Sequence, residues 1–241
     1  YPVGTGNVAL GNTALDSATG SYNTAIGNLA LTANTSGVAN TAMGADVMAS
    51  NTTGGYNSAY GRNALGTNTT GSNNTAVGYN SLVLGTTGGS NTAVGWSALQ
   101  ANTTADSNTA VGYVALASNT TGALNTALGS YALYSNTTAS NNTAVGHEAG
   151  YSSTTGTENT SIGQGALRTT TTGNYNSATG NGALRANTTG SSNVANGVAA
   201  LFANTTASEN TAVGFQAGYN NTTGIQISAV GSYTLKANTT G

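Results

Sequence analysis

The string Asn-Thr-Ala-Val-Gly and its close variants recur fourteen times in this chain, and from the second copy onward each begins 17 residues after the last. The copies start at Asn7, Asn23, Asn40, Asn57, Asn74, Asn91, Asn108, Asn125, Asn142, Asn159, Asn176, Asn193, Asn210 and Ile227, and only the first spacing is 16. A fixed period this short restricts the chain to stacked copies of one small unit. The consensus reads Asn-Thr-Ala-Val-Gly-x-x-Ala-Leu-x-small-Asn-Thr-Thr-Gly-x-x, numbered one to seventeen below. The fifth position is Gly in all fourteen copies, and the ninth is Leu in eleven, with Met48, Gly150 and Gly218 as exceptions.

Seventeen residues are too few for two packed helices and a turn, and a constant Gly with many Asn and Thr forms helix poorly. The first four positions alternate instead, Thr and an apolar residue at two and four against Asn and Ala at one and three, which predicts a short strand. The fifth-position glycines Gly27, Gly44, Gly61, Gly78, Gly95, Gly112, Gly129, Gly146, Gly163, Gly180, Gly197, Gly214 and Gly231 supply the turn, where positive φ and close backbone approach exclude a side chain. A second strand is expected over positions seven to eleven, with the ninth-position Leu inward. Two strands and two turns per unit describe one coil of an all-β parallel β-solenoid, or β-roll, of about fourteen coils. At the strand spacing of about 4.8 Å, the stack would form a rod of roughly 65 Å. One Val and one Leu per coil contribute about 1.5 to 3 kcal/mol each, against about 1 to 2 kcal/mol of backbone entropy for every residue fixed. Stacking is therefore obligatory. Residues 1–6 are expected to be an irregular lead-in and 7–241 a single array. Gly241 falls at the fifteenth position of an unfinished repeat, so the expectation is a fragment of a longer fibre.

In-register stacking puts like side chains over one another. At the twelfth position Asn34, Asn51, Asn68, Asn102, Asn119, Asn136, Asn187, Asn204, Asn221 and Asn238 recur, and amides can bond along the stack as a structural ladder. Asn-Thr-Thr is also a glycosylation acceptor, but glycans about 4.8 Å apart would collide. The alanine columns at three and eight raise a different expectation. If positions four and nine face inward, both alanine columns face outward, and a small-residue stripe through Ala76, Ala93, Ala110 and Ala127 implies close packing against another copy of the chain.

Only 4% of the residues are charged, against roughly 25% in an ordinary domain. Four basic residues argue against nucleic acid. The lack of Cys excludes disulfides and cysteine metal sites. No apolar run is long enough to span a bilayer as a helix, so no membrane insertion is expected in this segment.

Asn-Thr-Ala-Val-Gly-x-x-Ala resembles the Asn-Ser-Val-Ala-Ile-Gly motif of the YadA-like head domains of trimeric autotransporter adhesins, and similar Asn-Thr-Ala-x-Gly repeats occur in phage tail-fibre and related surface fibre proteins. The resemblance covers essentially residues 7–241, although the adhesin period is shorter than 17. It implies a left-handed β-roll whose three chains pack through small residues, with Thr75 and Val77 pointing into the coil, Ala76 facing the trimer axis and Gly78 making the turn.

Reactive groups do not recur in register. His147 and Glu148 are adjacent, but they stand at the variable sixth and seventh positions, without a second His, a Cys or a repeated acid. Gly163-Gln164-Gly165 lacks the third Gly of a dinucleotide loop. Neither catalytic nor metal residues are assigned and no cofactor is expected. Function has room at positions six, seven and ten. Tyr79, Trp96, Tyr113, His147 and Phe215 share the sixth; Tyr134, Tyr151, Phe202, Tyr219, Arg168, Arg185 and Lys236 share the tenth. Of these, Tyr79, Trp96, Tyr113 and Phe215 are the candidates for contact with a ligand or partner, the alternative being packing at strand edges or between protomers. The expectation is a non-enzymatic fibre segment at a cell surface, virion or other extracellular site: an adhesin head, tail-fibre shaft or filament, homo-oligomeric as a trimer or filament, meeting a host-surface glycan or receptor. The alternatives are an ice-binding solenoid using the Thr pair at thirteen and fourteen, a sugar-coated glycoprotein fibril, and a β-helix polysaccharide lyase, for which the recurrent acids or bases of a groove are lacking.

Overall fold

The computed structural model describes residues 4–240. It divides into two compact units, 1–123 and 124–241. Residues 1–3 of the expected lead-in, and Gly241, lie outside the described part. In the first unit β1 (Val8–Leu10), β2 (Thr24–Ile26), β3 (Thr41–Met43), β4 (Ser58–Tyr60), β5 (Thr75–Val77), β6 (Thr92–Val94) and β7 (Thr109–Val111) pair parallel in chain order. The second unit does the same with β8 (Thr126–Leu128), β9 (Thr143–Val145), β10 (Thr160–Ile162), β11 (Ser177–Thr179), β12 (Val194–Asn196), β13 (Thr211–Val213) and β14 (Ser228–Val230). Register is one repeat: Thr75 lies beside Thr92, Ala76 beside Ala93, Val77 beside Val94. Each unit is thus a parallel β-solenoid, with no helix among the described residues.

Two expectations need correction. The first concerns which face is inside. Ala76, Ala93, Ala110 and Ala127 are completely buried, while Val77, Val111, Leu128 and Val213 are exposed. The strand alternates as expected, but with Asn and Ala inward and Thr and Val outward, opposite to the phase read from hydrophobicity. Alanine recurs at three because the walls of a 17-residue coil stand too close for a larger side chain, so the small residue marks the interior. The alanine stripe therefore gives no evidence for a partner chain. Thr75 and Val77 do not point into the coil, and Ala76 faces no outer axis.

The second concerns positions seven to eleven, which form consecutive turns instead of a strand. Asn80 and Leu82, at seven and nine of one coil, have φ of 54° and 50°. The left-handed conformation recurs at both positions throughout the described coils and costs a non-Gly residue about 1 to 3 kcal/mol. It lets consecutive residues, Ala98 and Leu99 for example, both enter the interior, where they are buried completely; a strand would have sent one of them out. It also keeps the backbone paired between coils: Gly78 N–H donates to Tyr60 O at 2.8 Å, Asn80 N–H to Arg62 O at 3.1 Å, and Leu82 N–H to Ala98 O at 2.9 Å. Gly150 and Gly218 replace Leu at nine with φ of 60° and 61°: the conformation is held and the side chain given up.

Of the expected lead-in, residues 4–6 are described. Residues 4–6 already follow the coil: Tyr22 N–H donates to Thr5 O at 2.9 Å, Thr5 N–H to Ser21 Oγ at 3.1 Å, and Gly6 repeats the positive φ that Tyr22 shows one coil later.

Two buried amide ladders line the interior. In the twelfth column Asn51 Nδ2 donates to Asn34 Oδ1 at 2.8 Å and to Gly54 O at 3.0 Å. In the first column, read in sequence as an outward residue, Asn91 N–H donates to Asn74 Oδ1 at 2.9 Å and Asn74 Nδ2 to Gly88 O at 2.9 Å. The fifteenth-position carbonyl is thus a shared acceptor, Gly54 O also receiving Asn40 Nδ2 at 2.8 Å. An unpaired buried amide costs about 1 to 3 kcal/mol, so both ladders bind each coil to the next. Where the twelfth column breaks, at Ser153 and Thr170, a cavity of about 10 Å³ opens beside Gly150 and Ser161, and Ser153 Oγ has no hydrogen-bond partner. Its volume is about that of one water molecule.

Candidate functional surface

With positions one, three, eight, nine and twelve turned inward, side-chain variety is carried by the outside. The fifth-position Gly prepares that surface. A Cβ at Gly78, where φ is 130°, would lie 2.5 Å from Gly95 O in the next coil. The same φ region, 117° to 140°, holds at Gly27, Gly44, Gly61, Gly95, Gly112, Gly129, Gly146, Gly163, Gly180, Gly197, Gly214 and Gly231. Stacked turns therefore approach at backbone contact, and within each unit residues six and ten stand around them in columns, while position seven is partly turned in, with Ser97 and Val114 buried.

At the sixth position Tyr79, Trp96 and Tyr113 form a stack, with ring centroids 6.1 Å and 5.1 Å apart and planes within 18° and 16°. Ring faces inside the stack are taken by neighbouring rings, so edges are what the column offers to solvent. Phe215 packs edge-on against Tyr233 at 5.2 Å. His147 is exposed and lies edge-on to Tyr131. Among the described residues no group of three metal-ligating side chains forms.

The tenth column of the second unit is the richest. Tyr134 stacks on Tyr151 at 5.3 Å, and the Arg168 guanidinium lies over Tyr151 at 5.4 Å. Further along, Arg185 lies over Phe202 at 5.7 Å, Phe202 stacks on Tyr219 at 5.1 Å, and the Lys236 ammonium lies over Tyr219 at 5.9 Å. Cation–π contact stabilises each such pairing by about 0.5 to 1 kcal/mol at the surface. Arg168 Nε also donates to Glu148 Oε2 at 2.6 Å, which holds the Glu148 carboxyl below its ordinary value. Column ten was legible in sequence as a shared register, but the Glu148–Arg168 pair was not, because it joins a seventh position to a tenth in the next coil.

The twelfth-column Asn residues are buried from Asn34 to Asn221. A glycan on any of those nitrogens would require the amide to leave its ladder. In the Thr pair, the thirteenth-position hydroxyl is engaged, Thr86 Oγ1 donating to Thr103 O at 3.0 Å, whereas the fourteenth, as at Thr53, Thr70 and Thr87, is exposed. No helix among the described residues is long and apolar enough to cross a membrane. No protein-family model, curated protein or solved structure matches the chain.

Proposed function

We propose that the chain is a non-enzymatic structural segment of an extracellular surface fibre, a stiff support that carries varied side chains at regular intervals. The observation behind this reading is the division of labour within each coil. Interior columns repeat Asn, Ala and Leu nearly without change, while columns six, seven and ten vary freely around a backbone held by the turn glycines. A reaction centre needs unlike reactive groups brought together at one place; repetition suits length, stiffness and display. Copies of the chain would associate through the fourth column, whose apolar residues Val77, Val111, Leu128 and Val213 face out at strand spacing. The test is immunogold labelling of intact source cells or particles with antibodies against this segment. Label on surface fibres supports the reading, and label confined to the interior overturns it.

The exposed fourteenth-position Thr column favours one second reading, a water-ordering, ice-binding face. Its test is thermal hysteresis of the purified chain, and freezing without hysteresis removes it.

A further inference from the structure

We infer that the second unit carries a binding site for one carboxylate-bearing sugar ring, in the depression between Arg168 and Arg185. The depression exists because two consecutive coils have Gly at the seventh position, Gly165 and Gly182, where the neighbouring coils carry Glu148 and Ala199. Both glycines are buried and form its floor. A Cβ at Gly165 would lie 3.8 Å from Arg168 Cδ and 3.9 Å from Arg185 Nε, and one at Gly182 would lie 3.4 Å from the Phe202 ring. The open space therefore lies against the aliphatic stem of Arg168 and the guanidinium of Arg185. Its volume is about 150 Å³, about half the lower bound for drug-sized pockets, which limits the occupant to something near a single ring.

The chemistry of the lining selects the occupant. Two guanidinium groups one coil apart face a single carboxylate, and that carboxylate is bonded to Arg168. Arg185 makes no salt bridge among the described residues: it lies over the Phe202 ring and feels the Glu148 carboxylate only through space, the hydrogen bond of that carboxylate going to Arg168. Its planar fork is matched by a carboxylate from outside. The lining also includes Gln164 and Asn181, exposed and joined by an Asn181 Nδ2 to Gln164 Oε1 bond of 3.2 Å. Side-chain amides both donate and accept, and so complement ring hydroxyls. A carboxylate on Arg185 with hydroxyls on the two amides describes an acidic sugar, and the aliphatic part of Arg168 supplies a wall. The site does not depend on the fibre reading, since these coils bind the ring whatever assembly they belong to.

The test uses the whole chain, with glucuronate, glucose, acetate and sulfate as probes, followed by amide and arginine side-chain NMR shifts. Saturable shifts at Gly165, Gly182 and the Arg185 guanidinium are expected with glucuronate and not with glucose. Arg185→Gln should weaken glucuronate on the order of tenfold or more. Gly182→Asn should block the depression, and it keeps a residue type that Asn63 and Asn80 show is accepted at the same position and φ. Circular dichroism verifies that both variants remain folded. The proposal is overturned if glucuronate gives no saturable shift, if acetate and sulfate bind as tightly as glucuronate, or if both folded variants bind it like the parent.

Discussion

Asn68 stands one coil before Gly85 in the twelfth column, and its Oδ1 has no hydrogen-bond partner. The donor that each following Asn supplies elsewhere, as Asn68 Nδ2 does to Asn51 Oδ1 at 2.7 Å, is missing because Gly85 has no side chain.

Gly85→Asn should therefore stabilise the chain. It restores the donor and removes one unsatisfied buried oxygen; its Cβ would stand 3.1 Å from Leu82 Cγ, so a small shift of that side chain reduces the gain, which is expected to be at most about 1 kcal/mol. The converse change, Asn51→Ala, leaves Asn34 Oδ1 without its donor and should cost about 1 to 3 kcal/mol. Urea denaturation followed by circular dichroism measures both. An Asn51→Ala chain as stable as the parent would show that the ladder does not bind the coils together.

Two glycines separate steric need from conformational need. Gly78→Ala meets Gly95 O at 2.5 Å as well as a φ of 130°, and should cost on the order of 3 kcal/mol. Gly182→Ala has a φ of 66° and no atom nearer than 3.4 Å, so only about 1 kcal/mol is expected. Equal losses in thermal unfolding would contradict the backbone contact between stacked turns.

The left-handed positions carry strain that glycine can relieve. Ala39 has φ 54° at the seventeenth position, and Ala39→Gly should stabilise by about 0.5 to 1 kcal/mol despite glycine's larger freedom in the unfolded chain. A loss of melting temperature would argue against the assigned backbone there.

The Glu148–Arg168 pair gives a pH signature. Because the Arg168 hydrogen bond lowers the Glu148 pKa in the folded chain, its contribution is complete above the unfolded carboxylate value of about 4.3 and fades as pH falls through the lower folded value. Both side chains are about 30% exposed, so the effect is small and should shrink with added salt. Glu148→Gln should flatten the acid limb of the stability profile between those two values, as read from melting temperature against pH. An unchanged profile would mean that the pair does not persist in solution.

The period, the strand at two to four, the turn glycines and the twelfth-column ladder were all legible in the sequence because each is set by local constraints repeated in register. The direction of the strand was not. Ala76 and Val77 satisfy the same alternation in either phase, and ranking by hydrophobicity places Val inside; only the narrowness of the coil, a property of its closure, puts Ala and Asn there. The turns at seven and nine were hidden for a related reason. Leu82 and Asn80 are ordinary strand or turn residues by type, and only Gly150 and Gly218 at nine, with Gly165 and Gly182 at seven, signalled a left-handed backbone. The acidic-sugar site could not be read from one column, since it needs an absence at seven beside a charge at ten.

Which side of the strand faces the interior is the claim on which the rest depends, and it is open to a direct measurement. The chain has no cysteine, so Ala76→Cys and Val77→Cys each introduce a single thiol, which can be labelled at a concentration where light scattering shows a monomer. The Val77→Cys thiol should react at a rate near that of a free cysteine, and the Ala76→Cys thiol only as fast as the coil opens. Rapid labelling at position 76 with protection at 77 would contradict the account.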